Sequence, residues 1–376
     1  MDSAPVVGPL QGVRVLDLTR FPPGAYCTLL LADLGAEVTR LEPPPAAGRR
    51  ATGAGFGLVR GKRSVTLDQR HPRGNEVLRR LAGAADVLVE NSVPGQMDER
   101  GFGYQHAAVE FPRLIWCSIS GYGQVGPYAT RSGHDLTYTA HSGLLTALSP
   151  ELPWHPQAMI SVPLGAMMAA MGIASALVAR GRTGKGCQID VSLADACTWL
   201  LSGDVDELTG TAAHIGVSPG RRLYECADGR YITVAAAEPR TWEALCEALG
   251  LPDLVDNVYP TGDDAEAITK RLSSVFATRP AVEWVDLLGP IGAAVGSVNR
   301  GADIVADPHG RARGTTVEID GVAVPANPIR LRDMDGPLSS TATTAPPEPG
   351  EHTDVTLAAA GFSADEIADL RSSGAV

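Results

Sequence analysis

Across 376 residues the sequence carries six cysteines (27, 117, 187, 197, 226 and 246) and not one CxxC pair. Scattered in this way, they signal neither a zinc cage nor a disulfide framework, and they fit reduced thiols in a cytoplasmic protein. Positive charge is also short: 31 Lys and Arg against 43 Asp and Glu leave a net charge of −12. That balance argues against generic binding to nucleic acid or to an anionic membrane. No charged-then-apolar signal opens the chain, and the most apolar later stretch, 158–179, is interrupted by Pro163 and reads as a buried helix, not a membrane span. No GxGxxG follows the first predicted strand. The run ARGRTGKGC fails as a P-loop because its first glycine is misplaced and Lys185 is followed by Gly186. A nicotinamide, flavin or ATP enzyme is therefore disfavoured, and no metal is expected.

What is present is a soluble composition, 44% apolar, long enough for two domains. The opening segment predicts a strand at Val13–Leu18, a turn at Pro22–Pro23, a helix over about 24–34 and a second strand at Ala36–Leu41. GKRSVTLD, RGNEVLRRLAGA, DVLVENS and RLIWCSISGYG continue as strand, helix, strand and strand. Such alternation implies a parallel, helix-covered sheet with ligands at the C-terminal strand ends. Helices dominate from about 160 to 200, interrupted by a turn and a short strand in GRTGKGCQIDVS. A new unit begins near LYECADGRYITV, a hairpin turning at Asp228–Gly229. The division expected is 1–205, 206–310 for a linker and smaller domain, and 311–376 for a return arm and the rest of the large domain. The Pro/Thr-rich run DGPLSSTATTAPPEPGEHTD reads as a linker or exposed arm, and Ser363 with Glu366 has capping-box spacing before a last helix.

Charge is unevenly placed. Between Arg40 and Arg63 stand six basic residues (Arg40, Arg49, Arg50, Arg60, Lys62, Arg63) and one acid, Glu42, a local +5. Such an island beside a strand end suits a polyphosphate such as a nucleotide or coenzyme A, because guanidinium forks match phosphate oxygens. A solvated surface loop is the alternative. The chain as a whole resembles the family III CoA-transferases, the formyl-CoA transferase and carnitine-dehydratase-like family, and within it the α-methylacyl-CoA racemase branch. The resemblance rests on GVRVLDLTR, LLADLGAEVTRLEPP, GKRSVTLD, DVLVENSVPG, SGYGQVGPYATRSGHDLTY, TGKGCQIDVSLAD, YECADGRYITVAAAEP, DPHGRARG and GEHTD. It implies an α/β fold with a doubly wound, Rossmann-like large domain, a smaller α+β domain and an interlocked homodimer. It also implies coenzyme A contacts at Arg40, Lys62, Arg63 and the Glu90–Asn91 turn. Arg100 stands one residue before Gly101, where the family keeps an arginine two residues before its GF.

Moving a proton beside a thioester carbonyl needs a base, a route for the proton's return and stabilisation of the enolate between. In the racemases a histidine and an aspartate share this work. His134 matches the histidine, and imidazole titrates near neutrality. The aspartate's place, eleven positions before Gly172, holds Ser161, whose hydroxyl can donate or relay a hydrogen bond but carries no charge at pH 7. CoA transfer by the family route, which uses that aspartate as nucleophile, is accordingly not expected. Asp135 adjoins His134 and reads as a cap or orienter. Glu238 matches a glutamate of the racemase branch and stands as orienter or secondary acid. Tyr138 and Tyr224 are phenols that could meet the substrate or simply pack, and His155 is a second proton carrier near Ser161. The expected enzyme acts with one base on an acyl thioester of CoA or of a carrier protein. Alternatives are a binding protein without turnover, a full racemase in which Glu238 or water replaces the aspartate, or a CoA-transferase by a route other than the family's.

Overall fold

The computed structural model describes residues 8–20, 22–44, 54–149, 153–154, 156–203, 218–333, 336–337 and 341–376. Six short strands form one parallel sheet: β1 (Arg14–Asp17), β2 (Glu37–Glu42), β3 (Arg63–Thr66), β4 (Val87–Glu90), β5 (Ile115–Ser120) and β6 (Gln188–Ser192), in the order β3-β2-β1-β4-β5-β6. They are intercalated with α1 (Pro22–Asp33), α2 (Ala54–Val59), α3 (Gly74–Gly83), α4 (Gln96–Glu99) and α5 (Tyr104–Glu110). After β5 come α6 (Asp135–His141), α7 (Leu144–Leu148), the 23-residue α8 (Ser161–Thr183) and, beyond β6, α9 (Leu193–Leu200).

Alternation along the strands sends neighbouring side chains to opposite faces. Val15, Val38, Val89, Cys117 and Val191 pack with α1 and α8, while Leu16, Leu41, Val65, Leu88 and Trp116 pack with α3 and the C-terminal segment around Leu357 and Leu370. The four inner strands, β1, β2, β4 and β5, therefore contribute apolar side chains to both faces, as a parallel sheet covered by helices requires, while the edge strands β3 and β6 contribute to one face each. The order reverses between β1 and β4: the chain runs outward from β1 through β2 and β3, then returns to β4. A crevice opens there at the C-terminal strand ends.

The long apolar α8 has a mean hydropathy of 1.9 over its most apolar window and is long and apolar enough to cross a membrane. Nine of its residues are buried, from Ser161 to Ala176, against α1, α9 and the sheet. Gly184 ends it in the left-handed region, φ 72°, donating its N–H to Arg180.

The chain divides into two compact units, Met1–Thr209 with Ala312–Val376, and Gly210–Arg311. In the second, β7 (Arg221–Glu225), β8 (Tyr231–Ala235) and β9 (Val295–Ser297) make an antiparallel sheet. Gly229, φ 69°, closes the hairpin between β7 and β8. Helix α10 (Pro239–Ala248), with Gly262–Phe276 and Ala281–Leu288, surrounds a core of Trp242, Phe276 and Trp284.

One expectation is corrected. The described part of the Pro/Thr-rich run is no exposed arm. Ala342 is fully buried and donates its N–H to Asp33 at 2.8 Å, Thr344 accepts from Gly61 N, and the Gly350 and His352 N–H groups bond Ser64. The run lacks an interior of its own but borrows partners from α1 and β3.

Candidate functional site

The crevice between β1 and β4 is assembled from backbone that leaves both strands. Leu18 N–H bonds Val89 O at 2.9 Å, and Arg20 N–H bonds the Asn91 side-chain oxygen at 3.1 Å. The Ser92 N–H donates to Glu90 Oε2 at 2.7 Å, which fixes the turn after β4. Three guanidinium groups gather here. Arg20 follows β1, Arg70 follows β3, and Arg100 follows α4, where its side chain donates to Gln69 Oε1 at 3.3 Å and its carbonyl accepts from Asn75. Partial burial, and then the like charges of Arg20 and Arg70, hold Arg100 below the usual arginine range, against the opposing pull of Glu90 and Glu99. Among the described residues no carboxylate comes within ion-pair distance of Arg20, Arg70 or Arg100. Unpaired cations at strand ends form a ready seat for phosphate oxygens. Sequence reasoning passed over Arg20 and Arg70; the available signal was their place two residues beyond the predicted strand ends at Leu18 and Asp68.

The island from Arg40 to Arg63 is different. Arg49 and Arg50 lie outside the described residues. Arg60 forms a buried bidentate pair with Asp33, 2.8 and 3.0 Å, and also donates to Pro325 O. Lys62, expected to contact coenzyme A, lines the cavity beside Arg40 and Arg63 with a side chain 1% exposed, and its ammonium donates to Thr28 Oγ1 at 2.7 Å, Ala25 O at 3.1 Å and Asp17 Oδ2 at 3.4 Å. Burial pushes its pKa down, and Asp17 works against that shift. Arg40 pairs with Glu42 at 2.7 Å, and Arg63 reaches Glu37 at 3.9 Å across exposed surface. A cavity of about 200 Å³ lies between Arg40, Glu42, Arg63, Ser64 and Pro347. Glu90 is 4% exposed, and burial raises its pKa, partly offset by hydrogen bonds from Ser118 and Ser92; it holds the turn at Asn91 through the Ser92 N–H.

His134 is the N-cap of α6. Its imidazole is exposed, and its carbonyl accepts the N–H groups of Thr137 at 2.8 Å and Tyr138 at 3.2 Å. Asp135, the next residue, turns to the start of α8. Its Oδ1 accepts from Ile160 N at 2.9 Å, Val162 N at 2.9 Å and Ser161 Oγ at 2.8 Å, and its Oδ2 from Ile160 N at 3.0 Å. It thereby satisfies N–H groups that a helix start leaves open. Ser161, expected to donate or relay a hydrogen bond, is fully buried, and its hydroxyl donates to the Asp135 carboxyl group and carbonyl. A carboxyl group therefore stands one hydrogen bond from the hydroxyl.

Tyr138 is a packed phenol. Its hydroxyl donates to Gly133 O at 2.6 Å and its ring meets Tyr122 edge-on at 5.2 Å. A Cβ at Gly121 or Gly133 would stand 2.4 or 2.6 Å from that ring, so the loop before His134 closes over Tyr138 only because both positions are glycine. Tyr122, Tyr128 and His141 continue the aromatic cluster, and Arg131 lies over the Tyr128 ring at 3.8 Å. In the second unit Tyr224 is a core residue, its hydroxyl given to Pro219 O at 2.8 Å and its ring against Phe276, so neither tyrosine is a free donor. Glu238 heads α10 with an exposed side chain, its backbone N–H reaching Thr241 Oγ1 at 3.3 Å. His155 lies outside the described residues.

Comparison with known proteins gives a consistent picture. The model of CoA-transferase family III matches residues 10–353. The alpha-methylacyl-CoA racemase of Homo sapiens is 35% identical over 375 residues, 96% of each chain, and the succinyl-CoA:glutarate CoA-transferase of Mus musculus is 32% identical, covering 92% of this chain and 85% of that one. Among solved structures, a CAIB/BAIF family protein from Brucella suis superposes with a TM-score of 0.81 at 28% identity, over 94% of this chain and all of the other.

Proposed function

This chain is a member of CoA-transferase family III, and from that premise we propose that it acts on an acyl thioester of coenzyme A by moving the proton on the carbon beside the thioester carbonyl. Racemases and transferases both occur among its relatives. The observation that carries the racemase-like reading is the exposed imidazole of His134 at the head of α6. An imidazole can take a proton as a base and, once protonated, give it back as an acid. A transferase of the family type needs a carboxylate nucleophile at the start of α8. Here that position holds the buried hydroxyl of Ser161, which is the reading's argument against acyl transfer.

Coenzyme A is the handle in this proposal. Its phosphates engage the unpaired Arg20, Arg70 and Arg100 beside the Asn91 turn, with Arg40 and Arg63 at the rim of the neighbouring cavity. The cluster of three cations favours the several phosphates of coenzyme A over the single phosphate of a carrier-bound pantetheine. A homodimer, interlocked as the sequence resemblance implies, belongs to the same proposal. Its support is the exposed apolar row Met167, Met171 and Val178 on α8, with Trp199 and Leu200 on α9.

The test is hydrogen exchange. With a 2-methylacyl-CoA in deuterated water, the protein incorporates deuterium at the α-carbon. His134→Ala loses that exchange by about 100-fold or more while coenzyme A binding stays, the size expected for a removed general base. Undiminished exchange in the variant removes His134 from the chemistry.

A further inference from the structure

We propose that Asp135 is the second proton-transfer group of this site and that Ser161 is its positioning residue; the assignment rests on the thioester reading above. The observation is an imbalance between the two carboxylate oxygens. Oδ1 accepts three donors, Ile160 N, Val162 N and Ser161 Oγ, all at 2.8–2.9 Å. Among the described residues Oδ2 has only Ile160 N at 3.0 Å, a donor shared with Oδ1. Capping α8 is thus accomplished almost wholly by one oxygen. Each carboxylate oxygen offers two lone-pair positions, so Oδ2 keeps capacity for a proton. Exposure points the same way: Asp135 is part-exposed, whereas Ser161, the group that pins it, is fully buried.

Asp135 also follows His134 directly, so a carboxylate and an imidazole occupy one end of α6. The other titratable group that Asp135 faces is the Cys197 thiol of α9, whose pKa burial raises, so it stays protonated at neutral pH and competes for no proton. The step balances without a co-reactant. Neutral His134 takes the α-proton, and the C–H pair moves into the enolate. Protonated Asp135 returns a proton from Oδ2 to the opposite face as the carbonyl re-forms, leaving an imidazolium and a carboxylate. Run in reverse, the same pair serves the other enantiomer. Ser161, by holding Oδ1, keeps Oδ2 turned outward.

The experiment follows one enantiomer of a 2-methylacyl-CoA in deuterated water, reading deuterium content and configuration together. Wild type exchanges with inversion. Asp135→Asn retains an oxygen acceptor for the α8 N–H groups and keeps exchange while losing inversion by about 100-fold. Ser161→Ala, which leaves the charge in place, lowers kcat for inversion by about tenfold with KM unchanged and displaces one limb of the pH–rate profile, and Ser161→Thr restores both. Inversion at the wild-type rate in Asp135→Asn overturns the assignment. Should that variant not fold, an unaltered pH–rate profile in Ser161→Ala overturns it instead. Exchange without inversion in the wild type refutes the role of Asp135 alone, whereas no exchange at all sinks the thioester reading with it.

Discussion

Arg40, Arg60, Lys62 and Arg63 are neighbours in sequence, and each meets a carboxylate; Arg20, Arg70 and Arg100 are far apart in sequence, and Arg100 senses the charges of the other two. Counted along the chain, only the first group looks like an anion site. In the fold, among the described residues, it is the second that has no carboxylate within ion-pair distance. Of the four acids that meet the island only Glu42 lies inside the window in which the local charge was summed; Asp17, Asp33 and Glu37 arrive from β1, α1 and β2, outside it. A cation held by a buried acid stabilises the protein; a cation crowded by its own kind is available to a ligand.

That contrast can be broken most forcefully at Arg60. Arg60→Met strands the Asp33 carboxylate among buried groups and should cost about 3–5 kcal/mol, read from urea unfolding, because removing one partner of a buried pair leaves an uncompensated charge. Arg100→Ala and Arg70→Ala should each weaken coenzyme A about tenfold in titration calorimetry, the loss of one charge-assisted hydrogen bond, with the melting temperature unmoved. Their effect should shrink as salt is raised.

Glu90 gives a subtler test at the inner wall of the arginine crevice. Its folded pKa is raised from 4.5 by burial, so the folded state holds this proton to higher pH than the unfolded chain does. The stability the group contributes is complete below its unfolded value and is lost as pH rises through the folded one. Glu90→Gln should therefore gain on the wild type in melting temperature as pH climbs from about 4.5 towards neutrality. Smallest of all, Arg63→Ala should leave coenzyme A binding within about twofold, since its pair with Glu37 is long and exposed.

Much of the fold was legible. Strand–helix alternation located β1 to β6 within two or three residues, since apolar runs bounded by Gly, Pro and Asp carry a local signal. The Ser363–Glu366 cap is present as its spacing predicts, with Ser363 N–H donating to Glu366 at 2.7 Å. The candidate site was only half legible. His134 could be read from its motif, and the capping role of Asp135 was one of the readings its position allowed. The burial of Ser161 and its bond to Asp135 depend on contacts spanning 26 residues, which no local window contains. The bonds of Lys62 were hidden for the same reason: its partners Asp17 and Thr28 lie more than thirty residues away.

The junction at Asp33 also has a bearing on how the protein is made. The Asp33–Arg60 pair is finished by Ala342 N–H and Pro325 O, and β3 takes partners from Gly350 to Thr353. A growing polypeptide that has emerged only as far as the sixth strand holds a half-solvated ion pair and an unpatched strand edge. The elements made early are therefore completed by a segment made 309 residues later, so a truncation near residue 320 abandons the partners of α1 and β3 along with the residues it removes.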